Sequence, residues 1–240
     1  MTIGEQIIDY ASMRNEPFRR CDLMRYLGAN GVSEASAHVM LNRLVKQGTL
    51  LKTGHGMYAI PDEGRLPFVY KPSEAEKEVE RHIKLQFPFA DFCIWKPSAL
   101  IPFMHHIPAL SMTFVDIERV AMESVFLTLQ SRYPSIHLLL NPTTQECERY
   151  ITTEELIIVR PLVNEAPITK VDGITVPTLE KILVDTAGDK ELIFAQGAEL
   201  FTIYKNAFSS YIVSKARLLR YASRRNRKEQ IFKILKTIES

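Results

Sequence analysis

The apolar positions of the first sixty residues fall into two periods. Ile3, Ile7, Tyr10 and Ala11 recur at helical spacing and predict a first helix. Arg20 to Leu27 predicts a second, closed by Gly28, and Ser33 is a side-chain cap ahead of a third. In that third run Ala37, Leu41, Leu44 and Val45 share one face. At 3.6 residues per turn the opposite face shows Ala35, Val39, Asn42, Arg43 and Lys46, with Ser36 and His38 on its flanks. Gly48 is expected to end this helix. Leu50-Leu51-Lys52 and Met57-Tyr58-Ala59-Ile60 then bracket a tight Thr53-Gly54-His55-Gly56 connection, a hairpin pattern. Helices followed by a glycine-turned hairpin predict a winged helix-turn-helix, whose second motif helix enters the major groove of double-stranded DNA while the wing lies along the backbone.

From Pro61 to Pro67 all periodicity is broken, which marks a boundary between a domain at 1–62 and another at 68–240. Ser73-Glu74-Ala75-Glu76 is a capping box that opens a helix with Ala75, Val79, Ile83 and Phe87 on one face. Beyond it the pattern alternates. Phe92–Trp95, Met112–Val120, Ile136–Leu140 and Leu156–Val159 read as strands, and Ile168–Val176 as a hairpin turning at Asp172-Gly173. Short helices are predicted at Ser98–Met104 and Met122–Tyr133. From Thr178 onward the periods are helical: Thr178–Ala187, Glu191–Phe208, Ser214–Ala222 and Asn226–Ile238. The predicted class is α+β: an N-terminal winged helix-turn-helix, then an α+β domain with a mixed sheet and a helical C-terminal end.

Charge adds to this picture through its distribution. Residues 1–60 carry a net +2, the middle 61–213 a net −7 and the end 214–240 a net +7. One copy of the first domain therefore offers a modest footprint for nucleic acid, and tight binding calls for a homodimer or a second basic surface. Lys215, Arg217, Arg220, Arg224, Arg225, Arg227 and Lys228 supply candidates for that surface, around an apolar seam of Ile212, Leu218, Leu219, Tyr221 and Ala222. The same cations have a second reading, in which they neutralise the acidic middle.

Within the first domain, Asn42 and Arg43 are the side chains expected to reach base edges, because amide and guanidinium forks match adenine and guanine. Ser36, His38 and Lys46 flank them, and Lys52 and His55 are expected to meet phosphate from the wing.

Few residues of the chain are patterned for catalytic chemistry. Asp116-Ile117-Glu118 puts two carboxylates on one side of a strand, as a metal-dependent nucleic-acid enzyme would. Yet no Gly-Ser turn precedes it, and the position two beyond Glu118, where a nuclease would place a lysine, is Val120. His105-His106 point apart and need a third ligand, for which His82 and His137 are the candidates. Cys21, Cys93 and Cys147 have neither metal spacing nor an even count, as expected of a reducing compartment. The start has no signal-peptide pattern and no apolar run is long enough for a bilayer, so a cytoplasmic chain without cofactor, metal or membrane association is expected.

Two segments carry a family resemblance. Leu44-x-x-x-Gly48, Lys52 and Gly56-Met57-Tyr58 resemble the N-terminal domain of the AbiEi-like antitoxins of abortive-infection, type IV toxin–antitoxin systems. Pro177-Thr178-Leu179-Glu180-Lys181-Ile182-Leu183-Val184-Asp185, approached through Val159-Arg160-Pro161-Leu162 and the Asp172-Gly173 turn, is similar to a later helix of that group. Glu180-Lys181 departs from the Arg-Thr pair of many relatives. The resemblance implies a non-enzymatic transcriptional autorepressor that counteracts a nucleotidyltransferase toxin encoded next door, without requiring a stable complex with it. The alternatives from the residues themselves are a winged-helix transcription factor with a sensing or oligomerisation domain, and a metal-dependent enzyme using Asp116 and Glu118.

Overall fold

The computed structural model describes residues 2–239 except 15, 16, 48, 55, 62–64, 66, 110 and 153, and leaves the side chains of residues 46 and 239 undescribed. The Gly48 helix stop, the His55 phosphate contact and the Lys46 side chain thus lie outside the described residues. The chain forms two compact units, one of Met1–Pro67 with Ser210–Ser214 and one of Phe68–Ser209 with Lys215–Ser240.

In the first unit, α1 (Ile3–Ser12) starts at a capping box in which Thr2 accepts from the Glu5 amide and Glu5 accepts from the Thr2 amide. Strand β1 (Phe18–Arg19) leads directly into α2 (Arg20–Ala29). Contrary to expectation Gly28 does not end α2, which runs on to Ala29. Gly31, at φ +78°, supplies the left-handed residue that closes the helix; its amide bonds Gly28 and the Val32 amide reaches back to Leu27. After that turn α3 (Glu34–Lys46) begins at Ser33, whose side chain accepts from the Ser36 amide. Strands β2 (Leu51–Gly54) and β3 (Met57–Ala59) form the hairpin, and β1 pairs with β3, giving an antiparallel sheet in the order β1-β3-β2. Ile7, Tyr10, Leu23, Leu27, Ala37, Leu41, Leu44, Phe18, Leu50 and Tyr58 make one buried core, so each helix contributes its apolar stripe and the sheet closes one side.

The second unit is built on a four-stranded sheet. Helix α4 (Glu74–Gln86), opened by the Ser73/Glu76 capping box, precedes β4 (Phe92–Trp95). Here Ala75 is exposed and Glu76, Val79, Glu80 and Ile83 form the buried face. A short 3-10 helix at Pro97–Phe103 replaces the predicted α-helical turn, with prolines at both its start and its interior. Strand β5 (Ser111–Ile117), α5 (Met122–Arg132), β6 (His137–Leu140), α6 (Thr144–Tyr150) and β7 (Glu155–Pro161) follow. The sheet order is β4-β5-β7-β6; β5, β7 and β6 are parallel and β4 is antiparallel at one edge. The mixed sheet expected from the strand pattern is therefore present.

Strand alternation divides the side chains of this sheet. Phe92, Ile94, Val115, Ile117, Ile157, Val159 and Leu138 pack with Val79 and Ile83 of α4 and Val125 and Leu129 of α5. The opposite face carries Cys93, Trp95, Phe114, Asp116, Ile158 and Arg160. Strands β8 (Ile168–Val171) and β9 (Ile174–Pro177) form the foreseen hairpin, with Asp172 and Gly173 both at positive φ as a two-residue turn of this hand requires. The chain then enters α7 (Leu179–Thr186), every residue of which is buried. A 3-10 helix at Lys190–Ala195 and α8 (Ala198–Ser210) replace the single helix expected over Glu191–Phe208, because Gly197 at φ +66° interrupts it. Helices α9 (Lys215–Arg224) and α10 (Lys228–Glu239) complete the chain.

Candidate nucleic-acid interface and a buried charge cluster

On α3 the buried side is Ala37, Leu41 and Leu44, and Ala35, Val39, Asn42 and Arg43 are exposed. Val39 keeps 71% of its surface in solvent, a large apolar side chain left uncovered beside an amide and a guanidinium. Ser36 is exposed and its hydroxyl accepts from Ser33, so it belongs to the helix cap. His38 is half-buried and its Nε2 lies 3.0 Å from Arg20 Nη1, while its Nδ1 is buried without a partner among the described residues. Arg20, the first residue of α2, thus stands beside the third helix, a neighbour that sequence spacing did not bring out. Lys52 is exposed on β2, opposite Tyr58 of β3.

The cations of the C-terminal end do not form one outward surface. Arg225 reaches inward to Asp189 and lies 3.6 Å from Asp185. Arg227 is 2.8 Å from Asp189 and also donates to the carbonyls of Val184 and Asp185 at the end of α7. Arg224 pairs with Glu165, and Arg217 lies 3.6 Å from Glu180. Lys215, Arg220 and Lys228 are exposed. Of the seven residues expected to supply a second basic surface, Arg225 and Arg227 turn to an interior cluster, in line with the second reading in which these cations neutralise the acidic middle. The physical reason is proximity to two buried carboxylates, Asp185 on α7 and Asp189 just beyond it, each of which pairs with more than one cation.

That cluster sits on the α7-facing side of the sheet. Asp116 of β5 and Arg160 of β7 are register partners on adjacent parallel strands, and Arg160 Nε donates to Asp116 Oδ1 at 2.5 Å. Lys181 of α7 donates to Asp116 at 2.5 Å and to Asp185, four residues on, at 2.6 Å. Trp95 Nε1 donates to the second oxygen of Asp116 at 2.9 Å. Arg160 also donates to Asp189 at 3.0 Å and lies 3.6 Å from Glu191, and Tyr221 of α9 donates to Asp185 at 2.9 Å. Arg160 lies 3.8 Å over the Phe114 ring and Lys181 5.4 Å over that of Trp95, so the cations are floored by aromatic faces.

Burial alone would push the Asp116 carboxyl up, but Arg160 and Lys181 outweigh it and hold it well below the ordinary range. Burial works against the charged forms of Lys181 and Arg160, and Asp116 with its neighbouring carboxylates raises both well above their usual values. Glu191 is shifted upward, chiefly by burial. The Cys147 thiol is likewise pushed up, to about 11, so it is an inert buried sulfur.

The reading of Asp116 and Glu118 as a metal pair is corrected by this geometry. Asp116 accepts from three donors, and Glu118 lies beyond the end of β5. Nor do the histidines meet: His106 is 3.3 Å from Glu199, His82 lies by the Tyr133 ring and His137 by the Tyr150 ring. Among the described residues no three His, Cys, Asp or Glu side chains are grouped to hold a metal ion. Among them, too, no helix is long and apolar enough to cross a membrane.

Beside the cluster lies a cavity of about 250 Å³, lined by residues from the ends of β5, β6 and β7 and from the helices that follow. It was not anticipated from the sequence, although Arg160 directly after the apolar run Leu156-Ile157-Ile158-Val159 and the Lys181/Asp185 spacing within an apolar helix were signals of buried charge.

Residues 36–240 match the model of a family of unknown function, DUF6577. The chain belongs to that family. The matched span takes in α3, the hairpin and the whole second unit, so the charge cluster falls within it. Residues 5–61 match the model of the AbiEi antitoxin transcriptional regulators, in keeping with the resemblance of the first domain. No curated protein matches the chain.

Proposed function

We propose that the chain is a DNA-binding transcriptional autorepressor of the antitoxin kind, acting in the cytoplasm against a neighbouring nucleotidyltransferase toxin. Residues 1–62 are its winged helix-turn-helix: α2 and α3 are the motif, β2 and β3 the wing. The observation that carries this reading is the exposed side of α3, where Val39, Asn42 and Arg43 stand clear of solvent-excluding neighbours. It is supported by the match of residues 5–61 to antitoxin regulators. Asn42 and Arg43 read base edges in the major groove, Val39 meets a thymine methyl, and Lys52 meets phosphate. Residues 68–240 form the antitoxin-like domain. A homodimer doubles the modest charge of one copy and places two recognition helices on a two-fold operator.

The experiment is a gel-shift titration of the full chain against the DNA upstream of its own gene and against an unrelated duplex of equal length. Retention of the upstream fragment at a concentration that leaves the other free supports the proposal. Equal affinity for both, or for neither, refutes it.

A further inference from the structure

The cavity in the second unit stands at the carboxyl ends of three parallel strands. Asp116 is the penultimate residue of β5, Arg160 that of β7, and Asn141 directly follows β6. In open sheets flanked by helices this is the place where ligands bind, because loops diverge there and leave a crevice. Asn141 itself has φ +42°, a left-handed conformation that side chains seldom adopt. Its backbone amide is fixed by Val159 O at 2.7 Å, which holds the side chain at the rim of the cavity.

The charges of the lining are unevenly committed. Its five cations face four carboxylates, and each carboxylate has a cationic partner within 3.6 Å. Free capacity is therefore on the donor side. Lys190 lines the cavity half-buried; its charge acts on Glu146 and Glu191, but it makes no hydrogen bond or close ion pair to a described residue, and the Asn141 amide group has no partner there either. Arg225 Nε is buried without a hydrogen-bond partner, since Asp185 is 3.6 Å away. Lys190, Asn141 and the Nε of Arg225, which lacks a hydrogen bond, thus offer donors to one cavity from three places: the 3-10 helix, the loop after β6 and the residue that follows α9.

We infer that this cavity binds the phosphate group of a small anion, held by Lys190, Asn141 and Arg225. A phosphate presents three oxygens to donors from three elements, whereas a carboxylate presents two. Arg160 and Lys181, already saturated by carboxylates, form the rigid floor and are not themselves ligands. A site of this kind gives the second unit a small-molecule input, independent of whether the first unit binds DNA.

The test is calorimetric titration of the full chain with inorganic phosphate, glycerol 3-phosphate and acetate. Both phosphates should bind one per chain and acetate at least about tenfold more weakly. Tighter binding of glycerol 3-phosphate identifies an ester as the occupant; tighter binding of inorganic phosphate identifies the free ion. Lys190→Gln should weaken phosphate binding about tenfold or more with an unchanged melting temperature, and Lys190→Arg should restore most of it. Asn141→Gly, which suits the left-handed backbone, should also weaken binding without unfolding the chain. Absence of saturable phosphate binding, phosphate affinity unchanged in Lys190→Gln, or a preference for acetate would each overturn the inference.

Discussion

Replacing Asp116 by Asn keeps the shape of the side chain and removes the charge that two buried cations share. Arg160 and Lys181 each touch Asp116 at 2.5 Å, and both are almost wholly out of solvent. Breaking a buried pair from one side costs about 3–5 kcal/mol, because the remaining ion stays desolvated without its counter-charge. Lys181 keeps Asp185 at 2.6 Å and Arg160 keeps Asp189 at 3.0 Å, so the lower end, about 3 kcal/mol, is expected. For a chain of this size that lowers the melting temperature of the second unit by roughly 6–12 °C. Trp95, the single tryptophan, donates to Asp116, so its fluorescence during urea unfolding reports on this cluster. Lys181→Met should be similarly destabilising alone. In the double variant the loss should fall short of the sum by about 1–3 kcal/mol, since the partners are coupled. A loss under about 1 kcal/mol for Asp116→Asn, or strict additivity, would refute the view that these ions stabilise one another.

The C-terminal cations separate by the same logic. Arg225→Glu should unfold or strongly destabilise the second unit, because it sets a carboxylate against Asp189 and Asp185, whereas Arg224→Glu disrupts an exposed pair worth about 0–1 kcal/mol; thermal melts compare the two. The pH dependence has two limbs. Asp116, depressed in the folded state, contributes stability above its ordinary 3.8 that is lost as pH falls through its lower folded value; Lys181, raised, contributes below 10.5 and loses it as pH rises through its higher one. Urea midpoints across pH should therefore fall at both extremes, and Asp116→Asn should flatten the acid limb. Ser33→Ala should cost about 1 kcal/mol in the first unit, measured by denaturant unfolding, through loss of the α3 cap.

Much of the fold was legible because burial and periodicity agree. The stripes of α1 and α3 bury Ile7, Tyr10, Ala11, Ala37, Leu41 and Leu44, with Ile3 and Val45 half-buried. Strands β4, β5, β6 and β7 form on the apolar runs, although the run expected to reach Val120 stops at Ile117 and leaves Val120 in solvent. The Asp172-Gly173 turn and the Ser33 and Ser73 caps were equally direct. Helix α6 was missed because only Cys147 of it is buried, leaving no stripe, although Thr143 and Glu146 form a capping box. Gly28 misled because a glycine inside a helix and a glycine that ends one look alike until Gly31 is seen in its left-handed turn. The exposed face of α3 followed from 3.6-residue geometry. The charge cluster did not, because it joins β5, β7, α7 and α9, and no spacing within one element announces a partner on another. That the C-terminal cations could neutralise the acidic middle was legible from the charge distribution, but which arginines turn inward was not: a basic run shows its charge but not the direction in which each guanidinium turns.

The proposed function makes α3 the element that reads DNA. Fluorescence anisotropy with the upstream duplex and with single-base variants of it measures this most directly, for the parent chain, Asn42→Ala and Arg43→Ala. Each substitution should weaken binding to the upstream site by about 1–3 kcal/mol and flatten discrimination at one base position, with the fold unchanged because both side chains are exposed. Unaltered affinity and unaltered base preference in the double variant would contradict it.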